Sequence, residues 1–283
     1  MLKKLLIGAC FVSSFLFAAS ALAGHLSSQR SSARYPSAIA VLGEDGATGL
    51  GSNPAHQYRD APENSWATGT NPAVKSIYSR ILAVNPAARG HNVNLAQDDA
   101  PIQDLGSQVQ AAIKLKPKPE LVLVQIGSNG FACDGRDDSH YADFRAGLIA
   151  ALDTLTKGLP KARVFVVSEW GSESSYARYL RGLDLGHRLM HASKSPCEEV
   201  QSSSGLVVPT HVANIARISA GFDAQKVAAC RQFPQCRYDR GAASRIVLTS
   251  GDMDVREQPH SIQSQAKLAA AEWAAMAGFL KGS

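Results

Sequence analysis

Short apolar runs alternate with amphipathic stretches along most of the chain. Ser37-Ala38-Ile39-Ala40-Val41-Leu42 is apolar on both faces of an extended strand, and helical spacing of Ile77, Tyr78, Ile81 and Leu82 follows it. His91 to Leu95 is the second such run, followed by a helix expected from about Asp104 to Leu115. Glu120 to Ile126 is the third, and after a loop a helical pattern covers Phe144 to Leu159. Ala162 to Val167 and Arg245 to Leu248 are the fourth and fifth strand candidates, and the chain closes with a helix from about Ser261 to Leu280. Strands buried on both faces and alternating with helices require a parallel sheet covered on both sides. With right-handed crossovers this predicts an α/β fold, a flavodoxin-like doubly wound three-layer sandwich around a central five-stranded parallel sheet.

The stretch 171–243 is longer than one crossover needs. It carries a helical pattern near Val212 to Ile218, and a cap or long insertion over one end of the sheet is expected there. Neither an internal repeat nor a dividing linker interrupts residues 36–283, which read as one domain.

The N-terminus follows a different pattern. Lys3 and Lys4 precede an apolar stretch from Leu5 to Ala21, and Ala21-Leu22-Ala23 is a small-x-small cleavage pattern, so residues 1–23 read as a signal peptide cut after Ala23. The apolar stretch is short for a membrane span and interrupted by Gly8 and several serines, so no retained span is expected. Residues 24–35, rich in Ser and Arg, read as a flexible leader. Export, periplasmic or extracellular, is the expected localisation.

Removing residues 1–23 lowers the formal charge from +5 to +3, and the remaining charges are interspersed, which excludes a nucleic-acid footprint. It also removes Cys10 and leaves Cys133, Cys197, Cys230 and Cys236. An even count in an exported chain favours two disulfides, of which Cys230 with Cys236 and Cys133 with Cys197 is the preferred pairing. No two of these cysteines stand at zinc-site CxxC spacing.

In a doubly wound sheet, ligands meet the loops at the carboxyl ends of the strands. Those ends read Gly43-Glu44-Asp45-Gly46, then Ala96-Gln97-Asp98-Asp99-Ala100, then Gly127-Ser128-Asn129-Gly130, and finally Glu257-Gln258-Pro259-His260 before the last helix. Their order and spacing resemble the SGNH, or GDSL, hydrolases, a family that includes secreted esterases and lipases. The stretch "SWATGTNPAVKSIYSRI", residues 65–81, is also similar to the segment after the first motif in some phospholipase-like branches. The resemblance covers roughly residues 37–280.

The family's first block is Gly-Asp-Ser with a glycine four positions after the serine, a spacing kept by Gly43 and Gly49. The resemblance therefore puts Asp45 in the nucleophile's place and Glu44 before it. It puts Asp99 where an oxyanion-hole glycine stands, matches Asn129 to the oxyanion asparagine, and matches Glu257 and His260 to the final acid-x-x-His. Gly43 and Gly46 flank the first turn. Serine attack needs an imidazole to take the hydroxyl proton, a carboxylate to orient the ring, and N–H donors for the developing oxyanion. Two extra carboxylates oppose that charge: at ~4 Å and an effective dielectric of about 20, one anion beside another costs roughly 4 kcal/mol.

Three readings follow. A hydrolase acting on ester bonds would use Asp45 as carboxylate nucleophile or as base on water, with His260 as base and Glu257 orienting it. A metal-dependent hydrolase would gather Asp45, Asp99, Asn129 and His260 on a divalent cation. A catalytically inactive domain would bind a glycan, lipid or protein. No cofactor is required by the residues, and the expected ligand is a small molecule, a lipid or an acylated glycan. The chain does not indicate an oligomeric state.

Ser52 and Ser128 are the alternative hydroxyls, and both read as turn or cap residues. Asp252 and Asp254 are alternatives to Glu257 for orienting His260. His187 and His191, four apart in "HRLMH", lack the Glu of a zinc-protease motif and read as solvent-facing.

Overall fold

The structure is a computed structural model that describes residues 35–132, 134, 136–190, 204–256 and 258–281. The expected signal peptide and almost all of the leader, together with Cys133, His191, Cys197 and Glu257, lie outside the described residues.

Five strands form one all-parallel sheet: β1 (Ile39–Gly43), β2 (Asn92–Asn94), β3 (Leu121–Gln125), β4 (Arg163–Val166) and β5 (Cys236–Tyr238). Their order is β2-β1-β3-β4-β5, the doubly wound order expected from the alternation of strands and helices. Ile39 pairs with Asn92 on one side and Leu121 on the other, and Gly43 pairs with Gln125, so β1 and β3 end level with each other at the centre of the sheet.

The helices are α1 (Asp45–Thr48), α2 (Ile77–Val84), α3 (Leu105–Lys114), α4 (Asp137–Gly158), α5 (Glu173–Gly182), α6 (Leu185–Met190), α7 (Pro209–Cys230) and α8 (Ile262–Lys281). Successive β1 residues point to opposite layers. Ile39 and Val41 pack with Ile77 and Ile81 of α2 and Leu268 and Met276 of α8, while Leu42 packs with Val109 of α3, Leu148 of α4 and Ile218 of α7. Trp66 is fully buried in the first layer, and its indole N–H donates to Gln125 Oε1 at 2.6 Å.

The fifth strand is Cys236–Tyr238, whereas the apolar pattern points to Arg245–Leu248. Val164 pairs with Cys236 and Val166 with Tyr238, which makes three residues with an arginine at their centre an edge strand. Ile246 and Leu248 are buried in the core without pairing, and Val247 between them is 57% exposed. Burial, rather than strand formation, accounts for that alternation.

The stretch 171–243 holds α5, α6, α7 and β5. Phe222 on α7 makes edge-to-face contacts with Tyr141 and Phe144 on α4, so α7 is part of the sandwich's second layer. A disulfide joins Cys230, the last residue of α7, to Cys236, the first of β5. Among the described residues no helix is long and apolar enough to cross a membrane.

Candidate active site

The cleft lies where β1 and β3 end. Gly43 has φ +133°, and a Cβ there would fall 1.6 Å from the Gln125 carbonyl oxygen, so only glycine lets the two strand ends approach so closely. Its N–H donates to Gln108 Oε1 at 2.7 Å and its carbonyl accepts from Gln108 Nε2 at 2.9 Å. From this anchored residue the chain turns directly into α1, with Glu44 at the N-cap and Asp45 first in the helix.

Glu44 is turned inward and only 5% exposed. Its Oε1 accepts from the Ser128 N–H at 3.1 Å and the Ser128 hydroxyl at 2.9 Å, and its Oε2 from the Asn129 N–H at 3.3 Å. This carboxyl therefore holds the turn that carries Asn129. Burial first, and then the nearby charge of Glu169, push its pKa up to about 7, against the opposing effects of the Ser128 hydrogen bond and Lys226.

Beneath it, the buried Lys226 ammonium meets Glu169 Oε1 at 2.5 Å and Asp223 Oδ1 at 3.3 Å. Burial alone would lower the Lys226 pKa, but those two carboxylates outweigh it and hold the group above its usual range. Burial also raises Glu169, with Lys226 opposing.

Asp45 is half-buried and faces the cleft. Its Oδ1 accepts from the Asp99 N–H at 2.7 Å and from Asn129 Nδ2 at 3.4 Å. Asp99, which the resemblance aligns with a glycine, adopts the left-handed conformation, with φ +54°. No described residue hydrogen-bonds Asp45 Oδ2. The two groups that the family resemblance makes oxyanion donors thus converge on the chain's own carboxylate.

Oxygens of Asp45, Asp98 and Asp99 lie within 4.8 Å of one another, a hard-ligand set that could hold a divalent cation. Slight burial and the charges of Asp45, Asp99 and Asp60 push the pKa of Asp98 up to about 6, with Arg256 opposing.

His260 precedes α8 and lines the same cleft, its ring centroid 5.5 Å from that of Trp170. Arg256 Nη2 stands 3.1 Å from His260 Nδ1. The same arginine grips Asp254 Oδ2 through Nε at 2.9 Å and Nη2 at 2.7 Å. Burial pushes the His260 pKa down to about 4; Arg256 acts in the same direction, while Asp254 and Asp45 oppose it. The ring is therefore uncharged at neutral pH.

The cleft has a volume of about 330 Å³, with Asp45, Asn129, Lys226 and His260 among its polar groups and Phe131, Trp170, Tyr176 and Leu248 on its walls. Of the residues expected from the sequence, Asp45, Asn129 and His260 line this one space, and Asp99 reaches Asp45 through its backbone. Gly46 lines it too, with its carbonyl accepting from Gln265 Nε2 at 3.1 Å, while Gly43 lies behind the turn.

The alternative serines are committed elsewhere: the Ser52 hydroxyl donates to the Gly49 carbonyl and the Ser128 hydroxyl to Glu44. Asp252 pairs with Lys267, and His187 Nδ1 with Asp184. Sequence reasoning missed Asp98, Arg256, Lys226 and Glu169. The Asp98-Asp99 pair and the closeness of Arg256 to His260 were visible signals, but nothing in the pattern of α7 marked Lys226.

No protein-family model matches the chain, and no curated protein matches it. Among solved structures it is similar to TesA at 14% identity, over 84% of this chain and 97% of that one, with a TM-score of 0.48. It is also similar to an extracellular lipase from Streptomyces rimosus at 16% identity, over 84% of this chain and 98% of that one, with a TM-score of 0.44.

Proposed function

We propose that this is an exported hydrolase of ester bonds in which the carboxylate of Asp45 replaces a serine hydroxyl. The geometry around Asp45, which lines the cleft, carries the reading: Oδ1 is held by the Asp99 N–H and Asn129 Nδ2, and Oδ2 accepts from no described residue. A carboxylate pinned through one oxygen presents the other in a defined direction, as a base must to abstract a proton from water. Asp45 Oδ2 takes that proton as the water oxygen bonds to the acyl carbon. As the tetrahedral intermediate collapses and the ester C–O bond breaks, the proton passes from Asp45 to the departing alkoxide oxygen, which releases acid and alcohol and restores the carboxylate. The apolar walls and the cleft volume suit a short acyl chain of a small ester, lipid or acylated glycan. The Cys230–Cys236 disulfide suits an oxidising compartment, which supports export.

Turnover of short-chain esters by the native protein, Asp45→Asn and Asp45→Ala tests this. Loss of the base is expected to lower kcat by about 10² to 10⁴ in both variants. Water activated by Asp45 alone is insensitive to chelation, so EDTA should leave the native rate unchanged. A rate abolished by EDTA and restored by Ca²⁺ or Mn²⁺ would instead make Asp45, Asp98 and Asp99 ligands of an ion that activates the water.

The second reading is a domain that binds such a ligand without cleaving it. Its supporting observation is the arginine on His260 Nδ1, the nitrogen a triad leaves to a carboxylate. Ester binding detected by calorimetry, with no turnover by the native protein, would establish that reading and overturn the first.

A further inference from the structure

We infer that Arg256 is a positioning residue that places the single ring proton of His260 on Nε2, making the histidine a hydrogen-bond donor to the substrate rather than a base. The inference rests on the proposed role of Asp45 for its catalytic meaning, but the tautomer itself does not. A guanidinium carries only N–H donors and keeps its charge in proteins. With Arg256 Nη2 at 3.1 Å, His260 Nδ1 must therefore present its lone pair, and a neutral imidazole then has its proton on Nε2.

Arg256 is itself held in place. Asp254, whose side chain is 1% exposed, accepts from Arg256 Nε and Nη2 through Oδ2, and from the backbone N–H groups of Arg256 at 2.7 Å and Gln258 at 3.1 Å through Oδ1. Carboxylate, guanidinium and imidazole thus stand in a row. In a serine triad the carboxylate touches the ring directly, accepts a hydrogen bond from Nδ1–H and so leaves Nε2 bare to pull a proton from the nucleophile. Interposing a cation reverses the ring. Among the described residues, the charged groups acting on His260 are Asp254, Arg256 and Asp45, and Trp170 packs beside it.

The reversal fits the rest of the cleft. Asp45 supplies the base, and the Asp99 N–H and Asn129 amide are spent on Asp45 Oδ1. A substrate oxygen that gains charge would otherwise lack a donor, and a neutral imidazole N–H can serve as that electrophile.

The test is long-range ¹H–¹⁵N correlation on the full chain labelled at histidine, at pH 7, with His260 assigned by its loss in His260→Gln. The native ring is expected to show a bare Nδ1 and a protonated Nε2. Arg256→Lys, which keeps a cationic donor, should preserve that pattern, and Arg256→Met should shift it toward the Nδ1-protonated form. In the ester assay, Arg256→Met should lower kcat about tenfold or more, with KM little changed, as for loss of a transition-state donor. A protonated Nδ1 in the native protein, or an Arg256→Met variant with native circular dichroism and an unchanged ring pattern, would overturn the inference. Because the spectrum needs no substrate, an inactive protein with the expected tautomer would sink the hydrolase reading and leave the positioning role standing.

Discussion

At position 44 the chain buries a carboxyl that receives three hydrogen bonds and still holds its proton until about pH 7. Its folded pKa lies above the ordinary value, so the folded state binds the proton more tightly than the unfolded chain. Its contribution is fully present below the ordinary carboxylate range and lost as pH rises to about 7, a difference on the order of 3 kcal/mol. Glu44→Gln keeps an acceptor for Ser128 and Asn129 while removing the charge. Urea midpoints at pH 5 and pH 8 should therefore lie closer together in Glu44→Gln than in the native protein, and an unchanged gap would place the titration elsewhere. Asp99 shows the limit of legibility at this scale. Its place in the turn was readable from the spacing, but whether its side chain or its N–H would meet Asp45 was not, because that depends on a positive φ set by the loop.

The long strands followed from continuous apolar runs, because a central parallel strand is buried on both faces, and α2, α3, α4 and α8 followed from apolar positions at helical spacing, because each buries one face. β5 did not. Three residues with a central arginine give no period, and they form a strand only because the β4 edge offers hydrogen-bonding partners. The Cys230–Cys236 bond holds that strand to the end of α7, and closing so short a loop restricts the unfolded chain modestly. Cys230→Ala with Cys236→Ala is expected to cost about 2 kcal/mol by loop-closure entropy, measured as a shift in the urea midpoint. A loss beyond about 5 kcal/mol would mean that the bond also holds the β4–β5 pairing. α7 carries the less visible contribution, since Lys226 lies on the helix's buried face among Ile218, Phe222 and Ala229 and pairs with Glu169 and Asp223 under the cleft.

Over the whole molecule the perturbed groups mostly favour bound protons. Burial raises the pKa values of Glu44, Glu169 and Glu272, and Asp98 is raised as well, so the folded state outbinds the unfolded chain as pH climbs from the carboxylate range toward neutrality. His260, lowered to about 4, acts oppositely, adding stability as pH rises from about 4 to its ordinary value. Between pH 5.5 and 8, above the range in which the lowered Asp134 and Asp184 titrate, these four groups outnumber His260 and predict a protein more stable at pH 5.5 than at pH 8, which calorimetric midpoints at those two values would check. By itself the sequence determined the layer architecture, the parallel sheet and three of the segments that line the cleft, those after β1 and β3 and before α8, because apolar runs, helical spacing and the order of motifs are local properties of the chain. It gave no sign that the segment after β4, from Ser168 to Glu173, lines the cleft as well. Tertiary structure alone decided what those loops do to one another. It set the Asp99 N–H on Asp45, placed Arg256 between Asp254 and His260, and drew Lys226 beneath the turn. These contacts join residues from 2 to 57 positions apart, and their distances and pKa shifts arise only when separate strand ends meet in a shared, partly dehydrated space.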